Sequence, residues 1–431
     1  SKIYSGFISA GQDTQDGVTY NMHEQYFFVE SENDPKNDPV LIWTNGGPGA
    51  SSYFGLFVEL GPFQANGNSL KTEEYNKTGV PTLFYNDYTW TKLGNVLILN
   101  SPPPVGYSYC DPIGQAGNGT SCGNWNDTRT AVHNAEFINN FAKEFPEYAN
   151  NEWYIIGESY GGTRVMGLSY ELQSRHWMYL NGVIMVSPAD YKLFEEGDAV
   201  NSSLHLPYYT ATAWYHKSLN NDLQSKDLND ILPDAESFTI NELIPAIAKG
   251  GFISDEEKNK IAEKYSYYSG LSKEFILSHN LDVPNNTFWK ELLRDRNGLT
   301  VGRLDSRYRG IDKREAGSSP DTNIELNSWN HSFTPAINYY VRNELKFETD
   351  IKYNVFGPVH PWDRENDNTR ENLRKAMAQN PFLKVFIQSG YYDGATNYFQ
   401  AKYTMWQVDP SGRMKDRFYF EGYRSGHMMY L

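Results

Sequence analysis

The stretch Trp153-Tyr154-Ile155-Ile156-Gly157-Glu158-Ser159-Tyr160-Gly161-Gly162 decides how the chain is read. Its first four residues are aromatic or β-branched and apolar throughout, the composition of a strand buried on both faces of a parallel sheet. Directly after them, Gly157, Ser159 and Gly161 give the spacing G-x-S-x-G. Flanking glycines let the chain turn sharply from strand into helix and leave the serine hydroxyl at the tip, as in a nucleophile elbow. The same spacing occurs in ordinary glycine-rich turns; the strand in front is what favours the elbow.

Working toward the N-terminus, Val132, Ala135, Phe137, Ile138 and Phe141 recur at helical spacing between Thr128 and Phe145, and Pro146 ends the run. This predicts the crossover helix that leads into the elbow strand. His133 lies on it with no carboxylate or cysteine at metal-ligand spacing and reads as a structural or surface histidine. Tyr26 to Glu30, Val40 to Thr44 and Asn95 to Asn100 read as strands. The second ends at Asn45-Gly46-Gly47-Pro48-Gly49, where a glycine-rich turn aims backbone N–H groups into the crevice at a sheet's C-terminal edge. Such a turn serves as an oxyanion hole or a phosphate cradle, but the lysine and the spacing of a P-loop are missing. The third strand runs into the stiff, proline-rich Ser101 to Gly106.

Beyond the elbow, Gly182 to Val186 is the next buried strand. From about Tyr191 to Leu345 the chain is polar and mostly helical, with segments such as Leu228 to Ala248, Asp255 to Tyr265 and Thr287 to Arg296 between Asn, Gly and Pro breaks. No short repeat or heptad marks a solenoid or coiled coil. An insertion capping the sheet is expected, in which Tyr208, Tyr209, Trp214 and Tyr215, with His216 beside them, either pack together or line a pocket. The sheet pattern then returns. A capped helix from Asn368 through Met377 is closed by Pro381, Lys384 to Gln388 is a strand followed by Asp393, and Arg417 to Phe420 is a last strand followed by His427. The expected organisation is an α/β core in two parts, residues 1–190 and 346–431, around an insertion at 191–345.

A serine hydroxyl needs an imidazole to take its proton, and a carboxylate to hold the imidazole's tautomer. Ser159, Asp393 and His427 occur in the chain order of an α/β-hydrolase, each just past a predicted strand. Asp190 also follows a strand but comes too soon after the elbow, while His23, His176, His205, His216, His279, His331 and His360 fall in loops or the insertion.

The sequence has 431 residues, net charge −15 and a pI near 5.1. Without a basic cluster, this argues against nucleic acid or an anionic membrane surface as partner. Its apolar runs fall far short of the roughly 18 residues that span a bilayer. A start at Ser1 is compatible with removal of a signal or pro-segment, and equally with an expression product. Cys110 and Cys122 either form a short-loop disulfide or remain two thiols. Asn76, Asn118, Asn126, Asn201, Asn285 and Asn330 each open an N-x-S/T sequon, only slightly more than the roughly four that chance would give so Asn-rich a chain. An oxidising compartment is expected.

Four motifs together, W-T-N-G-G-P-G-A-S-S from Trp43, F-V-E-L-G-P from Phe57, G-E-S-Y-G-G from Gly157 and G-H-M from Gly426, resemble the serine carboxypeptidase family. The likeness spans the chain and is weakest in the insertion. It implies an α/β-hydrolase fold, a mostly parallel sheet with a mainly helical cap, carrying a triad of Ser159, Asp393 and His427. It also implies an oxyanion hole from the backbone N–H groups of Gly47 and Tyr160. A peptide's terminal carboxylate would be bound by Asn45, Glu59 and Glu158. Two clustered carboxylates raise each other's pKa, so at acid pH a protonated glutamate can donate to that carboxylate. Peptide cleavage is therefore expected to weaken above mildly acid pH through a rising KM; the alternative is that Glu158 merely caps the elbow helix.

Departures from the family pattern are also present. Ala50 stands where cysteine is usual, S-G-D-x-D reads S-G-Y-Y-D, and the Ser101 to Val105 loop and the S-P-A-D after the next strand look like a divergent, bacterial-type branch. The family resemblance implies a further helix after His427, beyond Leu431. The resulting expectation is a serine exopeptidase acting on peptide or protein C-termini through an acyl-enzyme, without metal or cofactor, in a secreted or acidic lysosome- or vacuole-like setting. An acyltransferase of the same fold and a catalytically silent binding paralogue are the alternatives.

Overall fold

The computed structural model describes residues 2–66, 68–112, 122–189, 198–325, 335–344, 346–348, 352–364 and 367–430. Asp190, Leu431 and the sequon residues Asn118 and Asn330 lie outside the described residues.

Nine strands build the central sheet. They are β1 (Ile3–Gln15), β2 (Val18–Val29), β3 (Val40–Thr44), β4 (Asn95–Asn100), β5 (Tyr109–Asp111), β6 (Trp153–Glu158), β7 (Gly182–Val186), β8 (Lys384–Gly390) and β9 (Phe418–Tyr423). Their spatial order is β1-β2-β4-β3-β6-β7-β8-β9, with β5 paired to β2. From β4 to β9 every neighbour is parallel, while β1, β2 and β5 join antiparallel at one edge. This is the α/β-hydrolase architecture expected from the sequence.

The apolar runs are continuous because both faces of the sheet are covered. Ile42, Leu97 and Ile155 face one core, while their sequence neighbours Trp43, Ile98 and Ile156 face the other, the period-two alternation of a strand with two buried sides. Helices α1 (Asp127–Glu144) and α2 (Tyr160–His176) cover the first face. Phe137, Ile138 and Phe141 of α1 and Val165 and Met166 of α2 supply the knobs. Asn126 caps α1, its side chain accepting from Arg129 N at 2.7 Å.

Between β7 and β8 lies a helical region with an apolar core of its own, including α3 (Leu206–Tyr215) and α4 (Asp255–Ser269). Tyr208 and Tyr209 are buried there, and the Tyr209 ring stacks on Phe288 with centroids 3.8 Å apart, so these aromatics pack rather than line a pocket. The same core extends to Tyr392 and Phe399 of the sheet region, which joins the two parts. Helices α5 (Thr369–Gln379) and α6 (Tyr398–Val408) complete the chain's return. Asn368 is the N-cap position of α5, as expected, but its side chain makes no cap bond; the Thr369 N–H is taken by Asp367 Oδ1 at 2.8 Å.

Cys110 and Cys122 are joined as a disulfide. His133 is buried, with Nδ1 2.6 Å from Ala10 O, a structural role. Of the described sequons, Asn76 is exposed on a short helix. The amides of Asn201 and Asn285 are engaged by Gln400 and by Tyr209 and Gly394, and Asn126 is the α1 cap. Among the described residues, no helix is long and apolar enough to cross a membrane.

Candidate active site

The elbow forms because nothing larger than glycine fits around Ser159. A Cβ at Gly157 would collide with the Gly161 carbonyl, and one at Gly46 would stand 2.5 Å from Tyr160 N and 2.7 Å from Ser159 Cβ. Ser159 itself sits at φ 59°, ψ −124°, a strained conformation for a residue with a side chain. Its backbone is pinned by Ser159 N to Val186 O at 2.9 Å and Ala189 N to Ser159 O at 3.1 Å. Tyr160 N is the first amide of α2, one of those a helix cannot satisfy internally.

The glycine turn after β3 is locked against that helix. Buried Arg164 of α2 donates to Thr44 Oγ1 at 2.5 Å and to Asn45 O at 3.1 Å, and the Tyr160 hydroxyl donates to Asp127 Oδ2 at 2.6 Å. The Tyr160 ring is thus held away from the cleft while its amide faces the region of Gly46. Asn45 is fixed by acceptance from Trp43 Nε1 at 2.7 Å and Gly55 N at 3.2 Å, leaving its Nδ2 to donate to Glu158 Oε2 at 2.9 Å.

Asp393 and His427 meet beside this turn, with Asp393 Oδ2 2.7 Å from His427 Nδ1. Asp393 is fully buried, and its other oxygen accepts from Ala395 N at 2.8 Å and Thr396 N at 3.0 Å. Thr396, which no sequence pattern singled out, joins both groups. Its Oγ1 donates to Asp393 Oδ2 at 2.8 Å, lies 3.1 Å from His427 Nδ1 and also reaches Ser187 O at 2.7 Å. The D-x-x-T spacing in Asp393-Gly394-Ala395-Thr396 was the available signal, since a carboxylate bonding backbone N–H groups a few residues on closes such a turn.

The other imidazole nitrogen is also occupied. His427 Nε2 lies 3.1 Å from Glu158 Oε1, and among the described residues Ser159 Oγ has no hydrogen bond to it. Burial alone would push the His427 imidazole down, but the charge and hydrogen bond of Asp393, followed by those of Glu158, push it up to about 10. Glu59, also buried, is pushed well above the usual carboxylate range, first by burial and then by the Glu158 charge. The Tyr430 hydroxyl and the Asn45 amide act against that rise, yet neither completes a hydrogen bond to a Glu59 oxygen.

Asn45, Gly47, Glu59, Glu158, Ser159 and His427 all border one cavity of about 360 Å³, within the range of small-molecule sites. Its wall also includes Arg303, Leu304, Phe356 and His360, none of which the sequence pattern assigned to the site. The structure therefore brings the expected site residues together, Tyr160 through its backbone alone. Among the described residues, no three His, Cys, Asp or Glu side chains converge to hold a metal ion.

A family model described as serine carboxypeptidase matches residues 1–418. The lysosomal protective protein of Mus musculus is 36% identical over 206 residues, covering 48% of this chain and 37% of that protein. Serine carboxypeptidase-like 8 of Arabidopsis thaliana is 33% identical over 202 residues, covering 45% of this chain and 42% of that protein. The matches thus span less than half the length of these curated relatives. The crystal structure of Kex1(Δ)p, a prohormone-processing carboxypeptidase from Saccharomyces cerevisiae, superposes with a TM-score of 0.56 at 15% identity, covering 99% of this chain and 87% of that one. At that identity the likeness speaks for the fold.

Proposed function

The chain belongs to the serine carboxypeptidase family, and we propose that it removes C-terminal residues from peptides through a covalent acyl-enzyme. One observation carries this reading. Glu158, bonded to Asn45 Nδ2, and Glu59 border the same cavity as Ser159 and as His427, whose Nδ1 meets Asp393 behind the cavity wall.

Ser159 Oγ attacks the scissile carbonyl carbon while His427 Nε2 accepts its proton. The backbone N–H groups of Gly47 and Tyr160 stabilise the resulting oxyanion. The imidazolium then protonates the leaving amine, the C–N bond breaks, and the acyl group remains on Ser159. Water, deprotonated by His427, attacks the ester and releases the shortened peptide. Asp393 holds Nδ1–H throughout, and Thr396 holds Asp393.

The substrate's terminal carboxylate is accepted by Asn45 Nδ2 and by a protonated Glu59 beside Glu158. Acid pH favours this because an ionised pair would repel the carboxylate. For His427 to serve as base, the Glu158 contact at Nε2 must give way as substrate binds. The helical region between β7 and β8, with residues 191–345, acts as a cap over the cleft. The disulfide and the name of the mouse relative favour an oxidising, acidic compartment. Passage of the acyl group to an added alcohol or amine is the alternative fate of the same intermediate.

The test is a peptide with a free C-terminus and the same peptide as its C-terminal amide, incubated near pH 5 with wild type and Ser159→Ala and followed by mass spectrometry. Stepwise loss from the free peptide, by wild type alone, is expected. Equal behaviour of the two proteins would sink the reading, and transfer to an added nucleophile without hydrolysis would redirect it to acyl transfer.

A further inference from the structure

The segment between the short paired strands Thr300–Val301 and Arg309–Gly310 comes from the insertion and runs along both catalytic loops. Gly394 N donates to Arg303 O at 3.0 Å, His427 N donates to Leu304 O at 2.7 Å, and Ser306 N donates to Tyr392 O at 2.9 Å. The backbone at position 303 is thereby fixed relative to the reacting groups. The Arg303 side chain is exposed and lines the cavity that Ser159 and His427 share.

Nearby arginines are committed. Arg307 is paired with Asp305 at 2.5 Å and also reaches Ser425 Oγ at 3.2 Å, and Arg424 is paired with Asp227 at 2.5 Å. Among the described residues, the Arg303 guanidinium has neither a hydrogen bond nor an ion pair. In a chain of net charge −15, an uncommitted cation in the cleft is a recognition element for an anion. A planar guanidinium matches a carboxylate through two parallel N–H donors. The proposed exopeptidase reading, on which this inference rests, already gives the substrate's terminal carboxylate to Asn45, Glu59 and Glu158, so the anion left for Arg303 is a side chain.

We propose that Arg303 is a specificity-determining residue that selects peptides with an acidic side chain, Asp or Glu, at the terminal or penultimate position. The experiment measures kcat/KM for free-C-terminus peptides that differ only by Glu, Gln or Lys at each of those positions, in wild type, Arg303→Ala, Arg303→Glu and His360→Ala. Wild type is expected to favour Glu over Gln by about fivefold at one position, mostly through KM and less in high salt, the size an exposed charge pair supports. Arg303→Ala should bring that ratio near one, Arg303→Glu should turn the preference toward Lys, and His360→Ala should keep it. The Gln peptides should change little in the Arg303 variants. A wild-type ratio near one, an equal loss on all peptides in Arg303→Ala, or a ratio abolished only by His360→Ala would overturn the inference while leaving the exopeptidase reading intact. No release from any peptide by wild type would overturn both.

Discussion

Glu158 Oε1 lies 3.1 Å from His427 Nε2, the nitrogen to which the proposed mechanism gives the Ser159 proton. In the resting site the imidazole is therefore held between two carboxylates, Asp393 on one side and Glu158 on the other. Replacing Glu158 with glutamine removes one of the charges that push His427 up to about 10. The apparent pKa of His427 should fall by about 1–2 units, a differential interaction of about 1.4 kcal/mol per unit. An ester substrate without a free carboxylate isolates this effect from terminal-carboxylate binding, and the acid limb of its kcat/KM profile, set by the general base, should move to lower pH accordingly. An unmoved profile would show that Glu158 does not bear on the base.

Glu59 bears on the pH dependence of binding. As the Glu59 proton is lost with rising pH, the site gains a charge that repels the substrate's carboxylate, so KM for free peptides should climb while kcat changes less. Glu59→Gln keeps a donor at every pH and should flatten that climb. KM measured from pH 4.5 to 8 in both proteins checks it, and two parallel curves would exclude Glu59 from substrate binding.

Thr396 tests how the charge pair is positioned. Thr396→Val keeps the shape but deletes a hydroxyl within hydrogen-bond reach of Asp393 Oδ2, Ser187 O and His427 Nδ1. A kcat lower by about tenfold with KM nearly unchanged is expected, together with a loss of about 1–2 kcal/mol of stability. Thr396→Ser should recover most of kcat. A kcat equal to wild type in Thr396→Val would remove the positioning role.

The buried carboxyls of Glu24 and Asp127 are each pushed up to about 7, chiefly by burial, and burial also holds Glu59 well above the usual carboxylate range. An acid that holds its proton more tightly folded than unfolded contributes fully below its unfolded pKa, and loses that contribution as pH rises through the folded value. His427, raised to about 10, has the same sign above its ordinary 6.5. His205 is lowered to about 4 by burial and His216 is also lowered, so both act the other way, but mainly below 6.5. Above pH 6.5 the three carboxyls and His427 all lose stability together, and Tm should be lower by about 5 °C at pH 8 than at pH 6.5. A flat or rising Tm over that interval would contradict it.

Much of this site was legible because its signals are local. Val40–Thr44, Asn95–Asn100 and Gly182–Val186 are strands with the bounds expected of them, since burial on both faces keeps their interiors apolar without a break. Ser159 and Gly157 were legible because only glycine tolerates the close approach of Gly161. The long β1–β2 hairpin was not, although Asp16-Gly17 between the strands, at φ 49° and 79°, is a hairpin-turn signal. β1 and the first half of β2 are half exposed and polar, so no buried run announced them; only the buried end of β2, within the expected Tyr26 to Glu30, did. Arg303 was invisible for another reason. It reaches the site only through backbone pairings across the folded chain, which no spacing along the sequence encodes.

The contact between the region linking β7 to β8 and the loops that carry Asp393 and His427 is made by peptide groups, Leu304 O with His427 N and Arg303 O with Gly394 N. Main-chain atoms are the same whatever side chain is attached, so the support they give His427 does not depend on which amino acid occupies position 303. The side chain at position 303, and with it the proposed preference for acidic residues, can therefore change by point mutation while the backbone support of His427 stays as it is.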